Sequence, residues 1–240
     1  MTRMRHGLPC LPMVLALFVV ACKQAPEPDS AEDRLQRFMA ANDRELLAQL
    51  DRALNEGRYD VVVDGAREFI ETHPESDQAW LVLGWAYTKK DELDQGRTCF
   101  EKALALNPEC DNAHVGLGVI HRERGQNKQA RTCYRAAIEI EPENPEALAS
   151  LLVIELIDGR YDDAVACGEK AWAQRRDLAA IPANLAVAYH YQGNTAKRDH
   201  FYDEAQKLGY RRLDTLDDIF AGRMVIGDPP AQAAPPDPPR

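Results

Sequence analysis

Three cysteines spaced by 34 residues, Cys99, Cys133 and Cys167, are the side chains whose type and regularity first suggest chemistry. A line of thiols could hold a soft metal or exchange disulfides. No CxxC or CxxH spacing accompanies them. His114 and His121 lie seven residues apart, on one face if the segment is helical, and could share a metal there. The same two positions suit partly buried packing histidines. Asp162 and Asp163 could serve acid–base work, but acidic residues are also what the start of a helix favours electrostatically. Gly116-Leu117-Gly118 opens like a phosphate-binding loop, yet the third glycine position holds His121 and the segment reads as helix, not as a strand turn. HExxH, a P-loop lysine and GxSxG are all missing, and beyond Cys22 the only serines are Ser30, Ser76 and Ser150. These residues predict no catalytic constellation, cofactor or metal; a redox or metal role for the cysteines remains as a weaker alternative.

A different thiol chemistry is suggested at Cys22. Arg3, Arg5 and His6 precede an apolar run, Leu11–Ala21, of eleven residues. That is too short for a membrane span, which needs about 20 helical residues, and it fits the core of a signal peptide over 1–21. Its end, Val19-Val20-Ala21-Cys22, resembles the bacterial lipobox. The resemblance implies cleavage before Cys22, diacylglycerol on its sulfur and acylation of the new amino terminus. Several acyl chains on one residue give a stable membrane anchor. Lys23 follows instead of the aspartate that retains enterobacterial lipoproteins in the inner membrane, so the expected address is the periplasmic side of the outer membrane. Residues 22–31, with two prolines and no apolar period, read as a flexible tether. Cleavage would move the formal charge from −10 to near −12 by removing Arg3 and Arg5. An acidic chain of that kind is a poor match for nucleic acid, whose backbone rewards clustered Lys and Arg.

The elements that would position all these residues follow from one duplication. Asp77–Cys110 carries Trp80, Leu83, Gly84, Tyr87, Phe100, Ala103 and Pro108; Asp111–Asn144 carries His114, Leu117, Gly118, His121, Tyr134, Ala137 and Pro142 at the same offsets, without a gap. Stepping by 34 residues gives five blocks, 43–76, 77–110, 111–144, 145–178 and 179–212. Outside the pair that set the register, Pro74 joins Pro108 and Pro142, and Gly57, Gly159 and Gly193 join Gly125. Ala171 and Ala205 join Ala103 and Ala137. Apolar residues at i, i+3, i+4 and i+7 predict a first helix in each block, the glycine ends it, and the proline closes the second helix.

These blocks resemble tetratricopeptide repeats (TPRs): an aromatic, Leu-Gly and Tyr on the first helix, then Ala, aromatic, Ala on the second. The implied fold class is all-α, a right-handed superhelical solenoid of about five helical hairpins. Ser30 with Asp33, and the stripe Leu35, Phe38, Met39 and Leu46, predict a preceding helix over 32–42. Leu213, Leu216, Ile219 and Phe220 predict a capping helix within 213–226, as terminal repeats require. The tail, 227–240, holds six prolines and reads as disordered or polyproline II. Some positions depart from the pattern. Gln49 and Ala53 stand for Leu and Tyr in block one. Block four has Leu152 for Gly, Glu155 for Tyr, Gly168 for the aromatic and Arg176 for Pro, which predicts irregular packing there and a second helix running on toward Leu178. Equivalent positions of stacked hairpins lie roughly 8–10 Å apart or more, so disulfides, which need Cα atoms within about 7 Å, are not expected within the cysteine ladder. Small semi-buried packers are the expected role, for Cys110 as for the other three.

What such a chain offers is a surface. In TPR proteins the first helices line a groove for extended peptides or partner helices. Carried over, that row is Leu81, Trp85 and Thr88; Val115, Val119 and Arg122; Ala149, Val153, Leu156 and Ile157; then Val187, His190 and Tyr191. The Lys and Asn with which chaperone-binding members clamp a carboxylate are replaced here by Leu81, Trp85, Val115 and Val119. Some of the apolar row is expected to pack between hairpins. The reading is therefore a lipid-anchored scaffold for a protein or peptide partner in envelope assembly, close in size and layout to the lipoproteins that assist type IV pilus secretins. Recruitment of a peptidoglycan enzyme is the alternative.

Overall fold

A computed structural model describes residues 31–225, with side chains from Ala41 onward. The expected signal segment, Cys22, the tether before Ala31, the Ser30–Asp33 cap, the stripe through Leu35, Phe38 and Met39, and the tail 227–240 lie outside that description. Contacts divide the chain after Asp43. The first unit is described only as the start of a helix; the second, from Arg44, holds the repeats.

Eleven helices and no strand are present among the described residues: α1 (Ala31–Asn55), α2 (Tyr59–Thr72), α3 (Asp77–Lys89), α4 (Leu93–Leu106), α5 (Asp111–Glu123), α6 (Asn127–Ile140), α7 (Pro145–Ile157), α8 (Tyr161–Gln174), α9 (Ala180–Tyr191), α10 (Thr195–Lys207) and α11 (Leu213–Phe220). The start of α3 recurs 34 residues on in α5 and again in α7, and that of α2 recurs in α4, α6, α8 and α10. The helix expected over 32–42 falls within α1, Ala31–Asn55. The fourth repeat keeps the register. Its second helix, α8, stops at Gln174, level with the ends of α4 and α6, and does not run on toward Leu178. The stop is local chemistry: Arg175 leaves helical geometry and its guanidinium bridges Asp177 and Glu146 at 2.9–3.0 Å, doing without the proline.

First helices start on side-chain caps where the sequence supplies them. Ser76 accepts from the Ala79 amide, and Asn144 from the Ala147 amide ahead of Pro145, satisfying donors that the first turn leaves without partners. Between the helices of a repeat the chain turns through positive φ at Gly57, Gly125, Gly159 and Gly193; in the second repeat that position is Asp91, at φ 63°. An L side chain there costs roughly 1–2 kcal/mol, so Asp91→Gly is expected to stabilise the chain by about 0.5–1 kcal/mol, read as a higher urea midpoint at unchanged slope.

The packing inside the hairpins rests on pairing large with small. The Phe100 ring of α4 is fully buried between Gly84 of α3 and Gly116 of α5; a Cβ at either glycine would come within 2.7 Å and 2.3 Å of it. Tyr134 fills the same place against Gly118. In the fourth repeat the partners are exchanged: Leu152 takes the glycine position and Gly168 the aromatic one, where an added Cβ would stand 3.2 Å from Leu152 and 2.6 Å from Leu185 of α9. The first repeat makes the same exchange with Leu50 and Ala66, both buried. Each departure is thus half of a volume-conserving pair, which cores tolerate best, and the irregular packing expected of the fourth repeat does not occur.

Glu155, at the tyrosine position of that repeat, is fully buried. Its carboxylate accepts from Arg131, Arg135 and Arg160, and Arg131 also reaches Asp158.

The first helices of successive repeats touch, α3 with α5, α5 with α7 and α7 with α9, while the second helices make no comparable contacts with each other. A stack in which one set of helices approaches more closely must curve toward that set. The first helices therefore line its inner face. At the end of the stack α11 rests chiefly on α9, burying Leu216 and Ile219 beside Leu156 and Val187. The capping helix is shorter than the span 213–226, ending at Phe220 before a positive-φ turn at Gly222.

Candidate partner-binding groove

The predicted row divides into three groups once the side chains are placed. Val115, Leu156 and Val187 are buried, at 2%, 4% and 4% exposure, and belong to the core between neighbouring helices. They underlie the row rather than project from it, and Leu156 and Val187 also line the cavity between α7, α9 and α11. Thr88 also turns inward: its hydroxyl donates to the Gly84 carbonyl at 2.8 Å and fills the space beside Gly96 of α4. His190 and Tyr191 are half-buried among aromatics at the C-terminal end. Tyr191 stacks on Tyr161 with centroids 4.7 Å apart, and His190 leans on Phe220 at 5.0 Å. Burial, helped by the nearby Arg198, holds the His190 imidazole below its usual range.

What remains accessible on the inner face is Leu81 and Trp85 on α3, Val119 and Arg122 on α5, and Val153 and Ile157 on α7. All but Ile157 are half-buried; Ile157 is 41% exposed. Trp85 meets the Phe100 ring edge-on at 5.3 Å, so its position is fixed by the core while part of its ring faces outward. Fixed aromatic rings with accessible faces are the usual anchors of protein interfaces. Past Ile157 the groove deepens into a cavity of about 190 Å³ between α7, α9 and α11, lined by Val153, Ile157, Asn184, Thr215, Met224 and Val225 among others. Helical periodicity could not place Met224 and Val225 there, because the turn after α11 brings them back.

A second cleft, of about 390 Å³, lies between α2, α3 and α4, with Ile70, Trp80, Leu83, Tyr87 and Cys99 inside and Arg67 and Glu71 among its lining. Trp80 donates its indole N–H to the Pro74 carbonyl at 3.0 Å. The aromatic signature of the repeat marks these residues, but as packing positions, so nothing in the sequence pattern announces a cleft.

The four cysteines of the repeats are free thiols, Cys99 buried and the others half-buried. Burial pushes Cys99 up to about 12 and Cys167 up to about 11, and raises Cys110 and Cys133 as well. Thiolate is the nucleophile, so all four are expected to resist Ellman's reagent at pH 8 in the native protein and to react together in denaturant. Rapid native labelling at Cys99 or Cys167 would contradict this. Among the described residues no group of three or more His, Cys, Asp or Glu gathers as a metal site. His121 Nδ1 lies 2.7 Å from the Gln126 amide oxygen, and burial depresses His114.

Family models agree with this geometry. Residues 77–110 match the tetratricopeptide repeat, and residues 118–151 match a second TPR model. These segments are TPRs. No curated protein matches the chain. Among solved structures, the chain resembles Pseudomonas aeruginosa pilF at 17% identity and TM-score 0.66, over 75% of this chain and 83% of that one. It resembles TTC0263, a thermophilic TPR protein of Thermus thermophilus, at 19% identity and TM-score 0.58, over 75% and 97%. A third similar structure is YrrB, described as a TPR protein with an unusual peptide-binding site, at 18% identity and TM-score 0.54, over 81% and 99%. At such identities the likeness is one of fold: a TPR-like solenoid. TPR folds bind protein or peptide partners and are typically non-enzymatic scaffolds, and no catalytic family is indicated.

Proposed function

We propose that the chain is a lipid-anchored TPR scaffold of the bacterial envelope, facing the periplasm from the outer membrane and holding a protein partner in the groove of α3, α5 and α7. The observation that carries the binding half is the accessible apolar row Leu81, Trp85, Val119, Val153 and Ile157 beside Arg122, on helices whose other faces are committed to the core. The anchor rests on Val19-Val20-Ala21-Cys22 at the end of an apolar run. No helix among the described residues is long and apolar enough to cross a membrane. A pilotin-like role in secretin assembly is favoured by size and layout, and by the likeness in fold to pilF.

Labelling with palmitate in cells is expected to be lost in Cys22→Ser and retained in all groove variants. Partner capture from intact cells is expected to fall on Trp85→Ala and Val119→Glu; identical partner profiles for the variants and the parent protein would remove groove binding. A deletion strain that keeps normal wall composition and loses pili or secretion supports the assembly role, whereas altered wall composition points to a peptidoglycan enzyme.

A further inference from the structure

We infer that the proline-rich tail of this same chain, residues 226–240, lies in the inner groove as an intramolecular ligand that an external partner must displace. The inference rests on the groove-binding reading above and adds an occupant to it.

The direction of the chain comes first. After α11 the Gly222 and Arg223 amides donate to the Ile219 and Asp218 carbonyls, and the Met224 amide also donates to Asp218, so the helix end is closed and the chain reverses. The reversal brings Met224 and Val225 to the rim of the cavity shared with Val153 and Ile157. Val225 is 58% exposed and Ile157 41% exposed, two large apolar side chains lining one cavity. Val225, the last described residue, therefore stands in the groove beside Val153 and Ile157 of α7.

Length and composition fit a path from there across α5 to α3. A polyproline II path advances about 3.1 Å per residue, and packed helices lie roughly 8–10 Å apart. Asp228, three residues past Val225, falls about 9 Å along such a path, one helix over. The cation on that helix is Arg122, at the same height in its repeat as Leu156; it is half-buried and pairs with the exposed Glu123 beside it. Such a pair contributes little and exchanges readily. The six prolines, from Pro229 to Pro239, then fall between about 12 and 43 Å along the path, enough to pass Val119 and reach Trp85 on α3. Aromatic-lined apolar grooves accept this conformation because it is formed before binding and loses little entropy. Tethering adds to this: a short linker holds its ligand at an effective concentration of about a millimolar, so a modest intrinsic affinity suffices for occupancy.

A fluorescein-labelled peptide of residues 226–240, titrated by anisotropy into the full chain in mild detergent and into the same chain ending at Val225, tests the inference. The expected result is saturable binding to the shortened chain and binding at least about tenfold weaker to the full chain, whose own tail competes. Arg122→Glu in the shortened chain is expected to weaken the peptide, and Asp228→Lys in the peptide to restore it. No binding to the shortened chain, equal binding to both chains, or concentration-dependent self-association of the full chain alone, which would place the tail in a second copy, overturns it. A groove that captures a cellular partner but ignores the peptide also overturns it, while leaving the scaffold reading intact.

Discussion

Glu155→Ala is expected to destabilise the protein by about 3 kcal/mol. Breaking a buried ion pair from one side costs about 3–5 kcal/mol, because the surviving charge stays dehydrated. Three features decide where in that range this site falls. Arg131 is 12% exposed at its side chain and would keep only Asp158. Arg160 and Arg135 are 39% and 53% exposed, so water can replace what they lose. The burden therefore falls on one guanidinium, and the lower end applies. Urea unfolding is the measurement, with a midpoint shift of about 1–2 M for a slope near 2 kcal/mol/M. The source of the cost is separable by a double-mutant cycle: in an Arg131→Met background the same substitution is expected to cost at least about 1 kcal/mol less. A single-mutant cost below about 1 kcal/mol, or an uncoupled cycle, would mean that water already reaches the carboxylate.

This cluster also shows what can and cannot be read from the residues in order. The 34-residue register is legible because it is written in backbone-determining residues. Glycines that turn the chain, prolines that stop it and the periodic apolar face all act locally. At Glu155 the register exposes only a missing tyrosine. Its partners come from α6, 24 and 20 residues earlier, and from the turn after α7, and no local rule links them. Leu152 and Gly168 are each legible as departures, yet their compensation appears only when the two helices face each other. A count of departures makes block four look loose, and it is regular because those departures cancel in pairs. The end of α8 shows the same kind of substitution, an Arg175 bridge standing in for a proline. The groove is half legible. Helical spacing selects the inner face of each first helix, but Val115, Leu156 and Val187 are buried by the neighbouring helices and by α11, and curvature of the stack is not encoded in the period of one helix.

Phe100→Ala is expected to be the most costly single change in the array, about 3–5 kcal/mol for removal of a fully buried aromatic. Volume alone does not set this cost. The ring stands between two helices of different repeats, against Gly84 within its own hairpin and Gly116 in the next. It therefore belongs both to the stability of the second repeat and to its interface with the third. In a linear array those two contributions add nearly independently, and losing both at one residue should change the form of unfolding as well as its midpoint. Amide exchange is expected to show α2–α4 opening at lower denaturant than α6–α10, a gap expected to be smaller in the parent chain. The converse substitution tests the geometry. Gly116→Ala places a Cβ 2.3 Å from the ring edge of the fully buried Phe100, so strain of about 2–3 kcal/mol is expected from overpacking. Combining Gly116→Ala with Phe100→Leu relieves the contact, and the double variant is expected to be more stable than the sum of its single losses predicts. Strict additivity would show that the ring is free to move, and that the glycine on α5 owes its place to something other than Phe100.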